Sequence, residues 1–275
     1  MLGSPPRDPE STVVTMLQLV VLALIQGVTE FLPISSSGHL ALVAPLTGWQ
    51  DQGILIDVAV HGGTLAAVIV YFWRDLMKIL TGLGERGSQS TRPLLGMLIL
   101  ATLPAGAAGY ALHAIDPELF RDPAIIAWTT IGFGILLWAA DRFGMTVRRI
   151  EHMTWGSALI IGLAQVLALV PGTSRSGITM TAARVLGFER EAAARFSLLL
   201  SIPLIGAAAL LAVLDLREAG DAVLSQEAAI AAVLSFLAAL VSIWAMLAWL
   251  RRASFTPFAI YRVILGLALL YWIYA

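Results

Sequence analysis

The sequence predicts an all-α polytopic membrane protein that forms a single integral membrane domain over residues 1–275. Of these residues 59% are hydrophobic and 13% are charged, and the mean hydropathy is +0.85. This composition excludes a soluble domain. The net charge of −1 and the scattered histidines provide neither a basic surface nor a zinc motif, so nucleic acid is not expected as a partner.

Six segments are long and apolar enough to cross a bilayer as helices. They are residues 54–73, 94–113, 124–140, 196–214, 228–250 and 258–275.

Two regions, 13–47 and 155–185, fit less well. Each carries an apolar run, a break rich in Gly, Pro and Ser, and a second short apolar run. The arms are too short to cross alone, and irregular backbone is tolerated at membrane depth only inside protein or beside water. We therefore expect two re-entrant helix hairpins.

The charges of the loops predict how the spans are oriented. The loops at 74–92, 141–151 and 251–256 are basic, whereas those at 115–123 and 215–227 are rich in acids. Placing the basic loops in the cytoplasm makes the spans alternate, provided that the first hairpin enters and leaves from the outside and the second from the cytoplasm.

An internal repeat agrees with this topology. A shift of 139 residues lays Gln26 on Gln165 and Ser35 on Ser174, and it overlays the first three spans on the last three. Each half then holds one hairpin and three spans, so the halves must be inverted relative to each other. The two hairpin breaks should meet near the bilayer midplane. The repeats cover about residues 12–140 and about 152–275.

The first break, QGVTEFLPISSSGH at residues 26–39, places chemically active groups in apolar sequence. Such groups are expensive in lipid and are usually kept for function. Gln26 and Glu30 are four residues apart and would share one face of a helix. His39 can act as a base, an acid or a nucleophile, and Ser36 lies within local reach of it.

The second break, PGTSRSG at residues 171–177, contains Arg175, a permanent cation whose planar donors suit phosphate oxygens. Its glycines let backbone N–H groups approach an anion, and the half-helices that follow the breaks direct positive dipole ends towards it. A carboxylate beside a phosphate pocket favours a cation between them, so Mg²⁺ or Ca²⁺ is the expected cofactor. Together the breaks predict hydrolysis of a phosphate ester or anhydride at membrane depth.

Structural alternatives stay open for these residues. Small residues in membrane segments most often serve close helix packing. Arg175 could be a structural ion-pair partner of Glu30, His39 a hydrogen-bonded structural histidine, and Gln26 a packing amide.

Two polar residues of the first span, Asp57 and His61, lie about one turn apart. We predict that they are structural or supporting rather than catalytic.

The chain carries, in this order, the Gln26-x-x-x-Glu30 motif, PISSSGH and PGTSRSG. With these motifs it resembles the undecaprenyl-diphosphate phosphatase family (UppP/BacA) of bacterial membranes. The resemblance covers essentially the whole chain. It implies hydrolysis of undecaprenyl diphosphate to undecaprenyl phosphate and inorganic phosphate, which recycles the lipid carrier of cell-wall synthesis, and it implies bacitracin resistance. It also implies a multi-pass protein of the bacterial inner membrane, and the loop charges place its site open to the periplasmic side.

The resemblance implies catalytic roles for Glu30, Ser36, His39 and Arg175, and it leaves open whether Ser36 or His39 attacks phosphorus. Glu30 would act through the divalent cation, assisted by Gln26, which replaces a glutamate found in many family members. Residues of the two breaks are expected to bind the diphosphate; they are Ser35, Ser37, Gly172, Ser174, Ser176, Gly177 and Thr179.

The expected partners are the polyprenyl diphosphate substrate and the surrounding membrane lipid, with a homo-oligomer left open. A second class of function is also open, because inverted repeats with broken helices at the midplane are a transporter architecture. An anion or lipid-phosphate transporter or flippase would use the same site, but it would not need the Ser36–His39 pair.

Overall fold

The computed structural model describes residues 15–49, 53–81, 92–115, 122–218 and 226–275, and every named element in them is a helix. The start of the first repeat and parts of three of the loops that predict the orientation, those at 74–92, 115–123 and 215–227, lie outside these residues. The helices are α1 (Met16–Thr29), α2 (Ser36–Thr47), α3 (Gly53–Tyr71), α4 (Trp73–Thr81), α5 (Arg92–Ile115), α6 (Pro123–Phe143), α7 (Trp155–Gln165), α8 (Arg175–Val185), α9 (Arg190–Glu218), α10 (Gln226–Leu250) and α11 (Thr256–Tyr274), with 3₁₀ turns at Ile150–His152 and Val166–Leu169.

Six of these helices, α3, α5, α6, α9, α10 and α11, are long and apolar enough to cross a membrane. They lie where the sequence predicts them, so the predicted all-α polytopic class is confirmed. One boundary differs clearly, because α9 begins at Arg190 instead of near residue 196. Hydropathy leaves this charged first turn out of the predicted span. In the structure an ion pair from Arg190 to Asp141 at 2.8 Å anchors the turn to α6.

The two regions predicted as hairpins each form a pair of short helices joined by irregular backbone. In the first, α1 and α2 pack against each other and are joined by residues 30–35, the first tip. In the second, α7 and α8 pack against each other and are joined by a 3₁₀ turn and by residues 170–174, the second tip. The breaks therefore occur at the predicted motifs.

Helix α10 packs along both α1 and α3, while α5 packs against α7 and α9. Two close approaches require glycine: a Cβ on Gly27 would lie 2.6 Å from the Ser235 carbonyl oxygen, and one on Gly63 would overlap the Ala232 carbonyl oxygen. Helices α3 and α9 contact each other, as do α6 and α11. The large apolar side chains that stay exposed on these helices fit a lipid-facing surface.

A buried ion-pair network joins α6, α8, α9 and the start of α11. The Asp141 carboxylate accepts hydrogen bonds from Arg184 at 3.0 Å, from Arg190 at 2.8 Å and from the Phe255 backbone N–H at 3.0 Å. The sequence predicts Asp141 at the start of a basic loop. It lies instead in the last turn of α6, where its partners from two other helices make its burial tolerable.

Helix α4 differs from the prediction, which is a basic loop over residues 74–92. Ile79 is buried on its inner face, whereas Trp73 and Leu80 are exposed. An ion pair from Asp75 to Arg195 at 2.7 Å fixes it against α9. The apolar positions of α4 are too few for a span but sufficient for a short amphipathic helix.

Candidate active site

Both tips end in a serine that has a positive φ angle and caps the next helix. Ser35 has a φ of 74° and accepts a hydrogen bond from the Gly38 N–H at 3.3 Å. Ser174 has a φ of 71° and accepts one from the Gly177 N–H at 3.1 Å. Positive φ is uncommon outside glycine and persists only where the surrounding structure enforces it, often at functional sites. These two predicted substrate-binding serines therefore also shape the backbone of the tips.

The first turns of α2 and α8 offer unpaired backbone donors. Within the described part of the chain, the N–H groups of Ser36, Ser37, Arg175 and Ser176 make no hydrogen bond to protein. The N-terminus of a helix attracts anions through such groups and through the helix dipole. Two helix N-termini brought together therefore suit a ligand with more than one negative charge.

The centre of the site is the Glu30 carboxylate. Its Oε1 accepts a hydrogen bond from Arg175 Nη2 at 2.9 Å, and its Oε2 accepts one from the Ser36 hydroxyl at 2.6 Å. The Glu30 side chain is 8% exposed and that of Arg175 is 12% exposed. Arg175 also donates to the Ser197 carbonyl at 3.2 Å. The structure thus joins three of the four predicted catalytic residues through one carboxylate.

Gln26 adjoins this carboxylate, as its position four residues before Glu30 predicts. Its Nε2 donates to Glu30 Oε2 at 3.1 Å, while its Oε1 is buried without a hydrogen-bond partner. An orphaned amide oxygen next to a carboxylate is suitable chemistry for a hard divalent cation. No group of three or more His, Cys, Asp or Glu residues in the described chain could hold a metal ion by itself, so further ligands would come from the substrate and water.

A cavity of about 390 Å³ opens beside these groups. Glu30, Ser36, Ser37, Ser174 and Arg175 line its polar end. Most of the remaining wall is apolar and comes from α3, α5, α9 and the end of the second hairpin's first arm; it includes Ile54, Val58, Leu169, Leu204 and Ile205. The cavity thus combines polar groups that suit an anionic headgroup with an apolar wall that suits a hydrocarbon chain.

His39 lies outside the residues that line this cavity. Its Nδ1 is 2.7 Å from the Ser35 carbonyl oxygen, which can only accept, so Nδ1 carries a proton. Its Nε2 is 2.6 Å from the Tyr261 hydroxyl, and the two rings are stacked at 5.7 Å. Ser36 forms its hydrogen bond with Glu30 and not with His39. The tip therefore brings Ser36 to the carboxylate and turns His39 towards α11.

Two predicted substrate-binding hydroxyls are engaged within the protein. Ser176 donates to the Leu32 carbonyl at 2.9 Å and so ties the second tip to the first. The Thr179 hydroxyl is 2.7 Å from that of Ser197 and donates to the Arg175 carbonyl at 2.9 Å. Both hydroxyls brace the backbone around Arg175.

The two predicted glycines are required by close packing. Gly172 has a φ of 87°, and a Cβ there would lie 2.5 Å from the Ile126 carbonyl oxygen. A Cβ on Gly177 would lie 2.8 Å from Arg262 Nη1. Gly172 lets the second tip approach α6, and Gly177 lets the first turn of α8 approach α11.

Sequence reasoning missed several residues around the site. Asp57 and His61, predicted as structural or supporting, lie in the wall of the cavity, as does Gln165, whose buried Oε1 has no hydrogen-bond partner. Arg262 of α11 is fully buried and contacts both tips. A charge in the otherwise apolar last span was the available signal for Arg262.

Comparisons with known proteins find relatives along most of the chain. A family model described as "Bacitracin resistance protein BacA" matches residues 19–268. The chain is similar to undecaprenyl-diphosphatase 1 of Rhodospirillum rubrum, with 52% identity covering 93% of this chain and 94% of that protein. It is also similar to an undecaprenyl-diphosphatase of Hahella chejuensis (52% identity; 94% of this chain and 99% of that protein) and to one of Chromohalobacter salexigens (51% identity; 94% and 98%).

Proposed function

The chain belongs to the bacitracin resistance protein BacA family, and on that premise we propose that it hydrolyses undecaprenyl diphosphate to undecaprenyl phosphate and inorganic phosphate. This reaction recycles the lipid carrier of cell-wall synthesis and confers bacitracin resistance. One observation carries the proposal: a buried carboxylate, Glu30, binds the hydroxyl of Ser36 on one side and the guanidinium of Arg175 on the other.

Ser36 is the nucleophile in the mechanism that this geometry supports. Its oxygen attacks the terminal phosphorus in line, Glu30 takes the hydroxyl proton, and the bond to the bridging oxygen breaks, so undecaprenyl phosphate leaves. Water then attacks the phosphoserine, Glu30 returns the proton to the Ser36 oxygen, and inorganic phosphate leaves with the water-derived oxygen. The 2.6 Å hydrogen bond between Ser36 and Glu30 already has the geometry that the first proton transfer requires.

Arg175 and the tip amides stabilise the negative charge that develops during attack. Arg175 lines the cavity, and the helix N-termini at Ser36 and Arg175 present free N–H groups. Fixed donors directed at developing charge in a water-poor site supply much of the acceleration in phosphoryl transfer.

The divalent cation would be held by two groups of this chain, the Glu30 carboxylate and the Oε1 atom of Gln26. When bound, Mg²⁺ or Ca²⁺ neutralises charge on the diphosphate oxygens. Gln26 and Ser36 donate to Oε2 of Glu30 and Arg175 donates to its Oε1, so these donors keep the carboxylate in place.

His39 acts in this mechanism by holding the first tip. Its hydrogen bond to the Ser35 carbonyl fixes the residue just before the nucleophile, and Tyr261 fixes the other side of the ring. The prenyl tail lies along the apolar wall of the cavity, between α3 and α9, and continues into lipid.

We further propose the predicted topology, an inverted repeat with two re-entrant hairpins in the bacterial inner membrane and the site open to the periplasm. Two observations support it. Ser35 and Ser174, one repeat apart, have matching positive φ angles and matching caps. The pairings α1–α10 and α3–α10 also have counterparts in α7–α5 and α9–α5.

A transporter or flippase would use the same clamp for a lipid phosphate. The hydrogen bond from Ser36 to Glu30 favours the hydrolase, because transport requires no activated nucleophile.

The test is phosphate release from undecaprenyl diphosphate by purified protein in detergent, with Mg²⁺, with Ca²⁺ and with EDTA. We expect cation-dependent release that Ser36→Ala and Glu30→Gln abolish. Ser254→Ala, which removes a hydroxyl near the start of α11, is the matched control and should retain release. Folded wild-type protein that releases no phosphate with either cation would refute the hydrolase and leave transport as the better account.

A further inference from the structure

Arg262 is a buried cation whose recorded partners are all backbone carbonyls. It is 0% exposed, and its guanidinium donates to the carbonyls of Thr130 at 3.1 Å, Pro33 at 3.3 Å, Gly172 at 2.8 Å and Thr173 at 2.9 Å. Among the ion pairs of the described residues, none includes Arg262. Burying such a charge is costly, so the interactions that it makes should matter to the protein.

The carbonyls that Arg262 binds come from both tips. Pro33 lies two residues before Ser35, and Gly172 and Thr173 directly precede Ser174. The two serines are the residues with strained positive φ angles. Arg262 therefore fixes the backbone just where each tip turns into the helix that carries a reactive side chain.

Few side-chain interactions of the described residues cross between the first tip and the second hairpin. Arg175 crosses to Glu30 at 2.9 Å, and Ser176 crosses to the Leu32 carbonyl at 2.9 Å. The first of these must loosen during the reaction, because Arg175 has to share its donors with the phosphate. Arg262 crosses between Pro33 and Gly172 from behind the tips and does not line the cavity.

We propose that Arg262 is a positioning residue for the hydrolysis: it holds the two tips in the register that places Ser36 opposite Arg175 while Arg175 exchanges Glu30 for substrate. This role rests on the proposed function. Arginine suits it because one planar guanidinium reaches four carbonyls, which the single ammonium of lysine cannot do.

The packing around the guanidinium agrees with this role. A Cβ on Gly177 would lie 2.8 Å from Arg262 Nη1, and one on Gly134 would lie 2.9 Å from the Arg262 Cβ. Both neighbouring helices thus leave space for the side chain. Gly177→Ala should displace the guanidinium without changing any charge.

The experiment compares Arg262→Lys with Arg184→Lys. Arg184 is the matched control, because it is 1% exposed and also binds backbone carbonyls, yet its partner Asp141 lies away from the tips. We would measure Tm, kcat and KM for undecaprenyl diphosphate in the folded fraction. We expect Arg262→Lys to lower kcat by about 10²-fold with KM within about threefold of wild type, because a displacement of about 1 Å can have this effect. Arg184→Lys should lower Tm comparably and leave kcat within about threefold.

Three outcomes would overturn the proposal: an unchanged kcat in Arg262→Lys, a rise in KM alone, or an equal loss of kcat in both variants, which would reflect general destabilisation. If Arg262→Lys does not fold, Gly177→Ala decides the question. A lower kcat with KM little changed in Gly177→Ala would support the role, and an unchanged kcat or a rise in KM alone would overturn it. An inactive wild type would refute the proposed function and this role with it, and a fully active Arg262→Lys beside an active wild type would refute the role alone.

Discussion

Ser35 and Ser174 share one rare backbone conformation, with φ angles of 74° and 71°, and each caps its helix through the N–H of a glycine three residues later. The next residue is Ser36 in one case and Arg175 in the other. The same local turn thus presents the proposed nucleophile after one tip and the proposed anion-binding cation after the other.

This shared turn predicts how substitutions at Ser35 will rank. Ser35→Ala loses the cap and keeps the strained φ, whereas Ser35→Gly loses the cap and relieves the strain. We expect Ser35→Ala to be the less stable variant by about 1 kcal/mol. Unfolding in denaturant would measure the difference, with the same pair at Ser174 as an internal repeat of the test. Equal stability of the two variants would show that the φ angle is not strained.

The ion pair between Glu30 and Arg175 predicts a rescue of stability without a rescue of activity. Glu30→Gln alone leaves the Arg175 charge buried without its partner and should destabilise the protein by about 3 kcal/mol. Adding Arg175→Gln removes that charge, so the double variant should recover most of the stability but no activity. Thermal unfolding and phosphate release would be measured on the wild type, on Glu30→Gln and on the double variant. A double variant less stable than Glu30→Gln would contradict the pairing.

The position of His39 predicts that a donor can replace its ring. In His39→Asn, the side-chain amide can still donate to the Ser35 carbonyl, so this variant should retain at least tenfold more activity than His39→Ala. Tyr261→Phe removes only the hydroxyl and should stay within about tenfold of wild type. Steady-state phosphate release would rank the three variants. If His39→Asn and His39→Ala were equally inactive, His39 would take part in the chemistry itself.

The apolar wall predicts a residue that controls binding of the tail. Ala209 of α9 lines the cavity, whereas its exposed neighbour Ala207 does not. Ala209→Trp should raise KM for undecaprenyl diphosphate about tenfold and leave kcat little affected. The KM for a short-chain diphosphate should also change little. Ala207→Trp is the control and should behave as wild type. If Ala209→Trp raised KM equally for the long and the short substrate, the tail would not lie along this wall.

Local sequence was sufficient for the six spans, for the two breaks and for the motif residues. Runs of apolar residues long enough for a bilayer predicted six spans, and the structure confirms them. Two breaks rich in Gly, Pro and Ser located both tips, because such residues interrupt helices wherever they fall. Polar groups at membrane depth marked Glu30, Ser36 and Arg175, and the structure brings those three together.

The direction of each side chain at the tips was beyond local sequence. Ser36 and His39 are three residues apart, yet one binds Glu30 and the other binds Tyr261, far along the chain. Asp57 and His61 have the spacing of an ordinary helical face, and only the packing of α3 against α1 and α9 puts them in the wall of the cavity.

The sequence by itself determined the membrane class, the six spans, the two broken hairpins and the motif residues of the candidate site, because hydropathy and helix-breaking residues act locally. Only the tertiary structure decided that Ser36 hydrogen-bonds Glu30, that His39 turns away from the cavity, and that Arg262 joins the two tips. These depend on partners contributed by distant helices, and the packing of those helices selects among directions that the local backbone leaves open.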